Sequence, residues 1–171
     1  MPSPVGHFIG GVAVGWLIWP AGTLPPTGQP LHYIPRQLLT NSFVFGCAAV
    51  APDLDILFGS HRTVTHSVAA VLFTFALSLA IYGQRHTAFA AALAAAVASH
   101  ILLDSFTGDP IGLMLFWPVS QEQFPSVAAV FLPIRVFEPG AFAHDVIAVT
   151  REVLILLPLV VLIGWLRRPT Q

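Results

Sequence analysis

The sequence predicts an all-α, polytopic membrane protein: four or five transmembrane helices with a short interfacial or re-entrant segment, forming a single integral membrane domain over residues 1–171. Three observations carry this. Hydrophobic residues make up 56% of the chain and charged residues only 9%, whereas a soluble domain carries about a quarter, so this chain could not cover its surface in water. Mean hydropathy is +0.79. The apolar residues also gather in runs near the length of a spanning helix, roughly 20 residues with about 17 as a lower limit.

The elements follow in order. Residues 5–19 are apolar and glycine-rich and end at Pro20. Residues 21–35 are rich in Pro, Gly and Thr and read as a loop. Residues 38–51 form a second apolar run, stopped by Pro52. A polar turn at 59–62 leads into the uncharged run 64–82, which closes at Gly83-Gln84-Arg85. Residues 87–103 are alanine-rich and favour helix. Proline and glycine punctuate 106–125. Residues 127–137, broken by Pro133, are too short to span and supply the interfacial or re-entrant segment. The last run, 153–166, precedes Arg167-Arg168. The third and fourth runs reach spanning length alone. The first, second and last reach it when the polar residues beside them lie partly inside the membrane.

Composition excludes several classes. There is no lysine, net charge is −1, and no basic cluster exceeds Arg167-Arg168, so nucleic acid is not an expected partner. The single cysteine, Cys47, allows neither a disulfide framework nor a cysteine-based zinc site and reads as a small core residue. The first run lacks the preceding positive charge of a cleavable signal peptide. Trp16, Trp19 and Trp165 fall at run ends on one face, as interfacial tryptophans do. That face carries Arg36, Arg85, Arg167 and Arg168, the other Arg62, Arg135 and Arg151, a weak bias toward a non-cytoplasmic site.

Polar residues concentrate at the ends of the apolar runs. His7 opens the first run, Asp53 and Asp55 close the second, His61 and His66 open the third, and His100 and Asp104 close the fourth. Alternating crossings bring all seven to one face. Charged groups near hydrocarbon are costly unless paired, metal-bound or functional. His100 and Asp104, four apart, share one helix face and can ligate one metal. Pro52 puts Asp53 and Asp55 on a turn, where they could cap a helix or serve a metal and a water. His61 and His66 are five apart, about 140° on a helix, so His61 belongs to the turn and His66 to the first helical turn. Arg62 could bind a phosphate or carboxylate, or anchor the interface. Thr65 and Ser67 could cap the helix or orient a histidine. Glu152 is a secondary candidate as ligand, base or ion-pair partner. His32, His86, His144, Asp109, Glu138 and Asp145 read as loop or surface residues. A mixed His/Asp set suits zinc foremost, with manganese or iron as alternatives. Seven candidates are enough for one or two ions, and two ions suit phosphoester hydrolysis.

Taken together, Gly6-His7, Pro52-Asp53-Leu54-Asp55, His61-Arg62-x-x-Thr65-His66-Ser67, Ser99-His100-x-x-x-Asp104, Phe116-Trp117-Pro118 and Phe131-Leu132-Pro133-Ile134 resemble the YdjM-like inner-membrane proteins over about positions 6–135. The resemblance implies a multi-pass protein of the inner (cytoplasmic) membrane and a membrane-bound metal-dependent hydrolase, in a family with some members under SOS (LexA) control. The His-x-x-x-Asp element is also similar to one in zinc-dependent phospholipase C enzymes. Ile56 stands where family members often have a histidine, and the stretch between Asp55 and His61 is short.

The expected function is hydrolysis of a lipid or lipid-linked phosphoester by metal-activated water. His66, His100, Asp104 and Asp53 hold the metal, Asp55 or His61 handles the water's proton, and Arg62 stabilises the anionic group. The alternatives are a metal or proton transporter, and a non-catalytic protein with a structural metal.

Overall fold

A computed structural model describes residues 1–19, 36–58, 61–135 and 138–167. The loop expected at 21–35, with His32, lies outside the described residues, as do positions 59–60 of the polar turn and Arg168. The chain is all-helical, and among the described residues there are two isolated β-bridges but no strand.

Helix α1 spans Pro4–Ile18. Pro4 suits the start because its missing N–H would be unpaired there anyway, and the Ser3 side chain caps the turn by accepting from the Gly6 amide. Helix α2, Arg36–Val50, passes into a 3-10 segment at Ala51–Phe58, where Pro52 interrupts the α-helical bonding. Helix α3, Val68–Tyr82, is capped by Ser67 and ends at Gly83, whose φ of +82° favours glycine. Helix α4 spans Thr87–Ser105, and α5 spans Phe142–Leu166 with Pro158 inside it.

Three helical stretches are long and apolar enough to cross a membrane: Leu38–Phe58, Gln84–Ser105 and Phe142–Leu166. Pro4–Ile18 and Val68–Tyr82 are shorter apolar helices. This redistributes the expected lengths. The third run divides at Ser67, which caps α3 and leaves it 15 residues, about 22 Å of helix. The second run instead gains length from the 3-10 segment after it. The last helix begins at Phe142 rather than 153 and runs 25 residues. Its charged residues did not stop it because Glu152 is paired inside the bundle.

α1 packs against α2, α4 and α5, and α4 against α1, α2 and α3. Small residues permit the close approach: a Cβ on Gly11 would meet the Ala49 Cβ at 2.4 Å and the Phe45 carbonyl oxygen at 2.6 Å. Phe45, Ala49, Ala92, Leu93 and Ala96 form the core beside this contact. α1 and α5 run parallel, since Glu152 meets Ser3 near one end and Arg167 bonds the Leu17 carbonyl at the other.

Among the described residues, 106–135 contains no helix and folds as a strap over the end where α4 stops. The Val127 amide bonds Ser105 O at 2.7 Å, Phe131 N bonds Phe106 O at 2.9 Å, and Val68 N bonds Leu115 O at 2.9 Å. Of the short segment expected at 127–137, the described residues 127–135 are therefore non-helical chain tied to the C-terminus of α4.

Candidate metal centre

Four chain segments converge beneath this strap. His7 comes from the first turns of α1, Asp53 and Asp55 from the 3-10 segment, His61 and His66 from the stretch before α3, and His100 and Asp104 from the last turns of α4. The structure brings all seven predicted side chains to this one end of the bundle.

Five of them face one another. His66 Nε2 and His100 Nε2 are 2.9 Å apart. Asp53 Oδ1 lies 3.6 Å from His66 Nε2 and 3.5 Å from His100 Nε2, while Asp104 Oδ2 lies 3.5 and 3.8 Å from the same atoms. His7 Nε2 stands 3.6 Å from Asp104 Oδ1 and 3.8 Å from Asp53 Oδ2, and its ring stacks on His100 with centroids 3.7 Å apart. All five side chains are buried.

The surrounding contacts fix which nitrogens are bare. His100 Nδ1 sits 2.7 Å from the Ala49 carbonyl, which can only accept, so Nδ1 carries the hydrogen. Thr65 donates its hydroxyl hydrogen to Asp55 Oδ2 at 2.6 Å. His66 Nδ1, 2.9 Å from Thr65 Oγ1 and 3.2 Å from Asp55 Oδ2, therefore donates as well. In the neutral rings both Nε2 atoms then present lone pairs toward each other. Two acceptors at that distance repel unless a cation lies between them.

The carboxylates make the same demand. Both oxygens of Asp53 and of Asp104 and both ring nitrogens of His7 are buried without a hydrogen-bond partner among the described residues. Leaving buried polar groups unsatisfied is costly, and leaving ionised ones so is more costly still. Three overlapping groups have donor atoms close enough to share an ion: His7, Asp53 and His100; His66, His100 and Asp104; and Asp53, His61 and His66. The nitrogen–oxygen donor set fits zinc, manganese or iron.

Asp55 and Arg62 stand behind this cluster rather than in it. Asp55 accepts from His61 Nδ1 at 2.9 Å and from Thr65, and its second oxygen faces His66. Its oxygens are thus spent on orienting two imidazoles, the arrangement that fixes ligand histidines in metal sites. Arg62, 1% exposed and at φ +63°, turns its guanidinium onto Asp104 Oδ1 at 3.4 Å, Asp109 Oδ1 at 3.5 Å and the Ile111 carbonyl. It holds Asp104 and the strap rather than facing open space. His61, whose buried Nε2 has no hydrogen-bond partner among the described residues, lines a cavity of about 230 Å³ with Asp109 and Arg135.

Two residues set aside as loop or secondary positions belong to this end of the molecule. Asp109 bonds the N-terminal ammonium at 2.9 Å as well as facing Arg62. Burial opposes its ionisation, but the ammonium, the Ile111 amide and Arg62 outweigh that and hold its carboxyl below the usual carboxylate range. Nothing in the local sequence marks Asp109, because both partners are remote in the chain. Glu152 is fully buried against Ser3, and a carboxylate amid an apolar helix was its available signal.

The family model for the YdjM inner membrane protein matches residues 1–169, so the chain belongs to that family. No curated protein and no solved structure matches it.

Proposed function

We propose that this YdjM-family membrane protein is a metal-dependent hydrolase acting on a lipid or lipid-linked phosphoester. One observation carries the reading: the bare Nε2 atoms of His66 and His100 converge, 2.9 Å apart, between the carboxylates of Asp53 and Asp104, whose oxygens accept no hydrogen bond among the described residues. His7, Asp53, His66, His100 and Asp104 would hold the ion. When bound, a divalent ion supplies positive charge against a developing oxyanion and acidifies water.

The remaining residues have separable tasks. Asp55 holds hydrogen on His61 Nδ1, which leaves the lone pair of the buried His61 Nε2 to accept a proton from a water held beside Asp53 and His66. Arg62 keeps Asp104 in place through the side-chain contact and a 3.4 Å bond to its carbonyl. An open apolar groove of about 700 Å³ runs between Pro4, Val5 and Phe8 of α1 and Phe43, Leu54 and Cys47 of the facing segment, where Cys47 is exposed rather than in the core. Its walls adjoin His7 and Asp53 in sequence, and its apolar lining supports a substrate with a hydrocarbon part.

The test is elemental analysis of detergent-purified wild type beside His100→Ala/Asp104→Ala, followed by assays on phospholipid phosphoesters. Zinc, manganese or iron in the wild type, lost in the variant together with metal-dependent turnover, is the expected result. Folded wild type that takes up none of these ions overturns the reading. Metal without turnover on any phosphoester leaves an ion that only ties helix ends together.

A further inference from the structure

The imidazoles of the cluster are not held alike. His66 is oriented by Asp55 and Thr65, His61 by Asp55, and His100 by the Ala49 carbonyl. His7 Nδ1 has no hydrogen-bond partner among the described residues. Beyond its stacking on His100 and the approach of its Nε2 to Asp104 and Asp53 at 3.6 and 3.8 Å, the ring is placed by the backbone that carries it.

That backbone is the first turn of α1, and it is docked on Glu152 of α5. The Ser3 amide donates to Glu152 Oε1 at 2.8 Å, and the Ser3 hydroxyl donates to Glu152 Oε2. The same hydroxyl accepts from the Gly6 amide at 3.1 Å, and the Ser3 carbonyl accepts from the His7 amide at 3.1 Å. Gly6 leaves the space for the carboxylate: a Cβ there would fall 2.5 Å from Oε2. Glu152 is fully buried and belongs to none of the groups whose donor atoms could share an ion. A carboxylate also suits this position because helix N-termini carry partial positive charge.

We propose that Glu152 is a positioning residue for His7, acting across the bundle through Ser3 to set where α1 presents its imidazole. The consequence for metal binding rests on the metal reading above; the placement of His7 does not. Gln at 152 keeps an acceptor for the Ser3 amide but puts its amide NH2 where the Ser3 hydroxyl needs an acceptor. Ala removes both contacts.

The experiment is zinc titration of full-length protein in detergent, with NMR of ring-labelled histidine in the metal-free state. Glu152→Ala is expected to weaken zinc about 10- to 100-fold, the range for residues behind metal ligands, with Glu152→Gln weaker in effect. In the metal-free protein the His7 ring resonances move. Because Glu152 acts through His7, Glu152→Ala adds little to the loss already caused by His7→Ala. Leu156→Ala, one turn along α5 and packed near Leu103 and Phe131, lowers stability but leaves His7 and zinc affinity unchanged. If Glu152→Ala does not fold, Glu152→Gln and Ser3→Ala carry the same comparison.

Unmoved His7 resonances with wild-type affinity overturn the proposal. So do fully additive effects of the Glu152 and His7 variants, or an equal response in Leu156→Ala. A wild type that binds no zinc, with His7 resonances that still move in Glu152→Ala, keeps the positioning role and removes the metal reading instead.

Discussion

His66 Nε2 and His100 Nε2 face each other at 2.9 Å although 34 residues separate them in the chain, and each ring has its hydrogen-bonding nitrogen turned away. A proton shared between the rings or a bound cation relieves that contact. The four oxygens of Asp53 and Asp104 around it accept no hydrogen bond among the described residues, and Arg62 faces only one of them, which favours the higher charge of a metal ion.

Metal removal should therefore destabilise the protein. A ligand that binds only the folded state at a hundred times its Kd contributes about 2.7 kcal/mol. Adding a chelator should lower the unfolding temperature of the wild type, and readdition of zinc should restore it. The check is differential scanning fluorimetry in detergent, with His100→Ala/Asp104→Ala expected to show no response to either addition.

Asp55→Ala should weaken zinc about 10- to 100-fold, since it frees both His61 and His66 from their orienting partner. Thr65→Val should do less, because Asp55 stays beside His66. Chelator competition measures both. Equal effects from the two variants would contradict the orienting role assigned to Asp55.

The close contact between α1 and α2 predicts a packing effect one turn along α1 from His7, beside Ala49, whose carbonyl holds His100. Gly11→Ala places a Cβ against Ala49 and the Phe45 backbone, which cannot move as a side chain tip can. Overpacking of this kind costs about 1–3 kcal/mol. Unfolding measurements should show that loss, whereas Gly83→Ala, with no atom nearby but φ at +82°, should register only its backbone strain.

Asp109 gives the acid dependence a specific origin. Its carboxyl is held below the ordinary carboxylate range in the folded protein. Its stabilising contribution is therefore complete above the unfolded value and is lost as pH falls through the lowered native one. Asp109→Asn should remove this part of the acid limb. The measurement is unfolding temperature against pH for both proteins, and superimposable acid limbs would count against the assignment.

Much of this was legible in the residues. The charge content excluded a water-covered surface, the run boundaries located the helices, and alternation placed the seven polar side chains at one end. What misled was treating charge as a helix stop. Arg151 and Glu152 hid the first eleven residues of α5, because the sequence alone could not show that Glu152 is paired with Ser3. Ser67 worked the other way, since a polar residue inside an apolar run became a cap and shortened α3.

The sequence by itself determined the membrane class, the all-α fold, the kinds of donor atom available and the run ends that carry them. Those follow from composition and from periodicity along one chain. Only the tertiary structure decided that Asp55 and Arg62 stand behind the five clustered His and Asp side chains, that Asp109 ties down the strap, and that Glu152 docks the helix bearing His7. The physical reason is that a side chain's role depends on which lone pairs and hydrogens its remote neighbours have already used. Local sequence carries no record of those pairings.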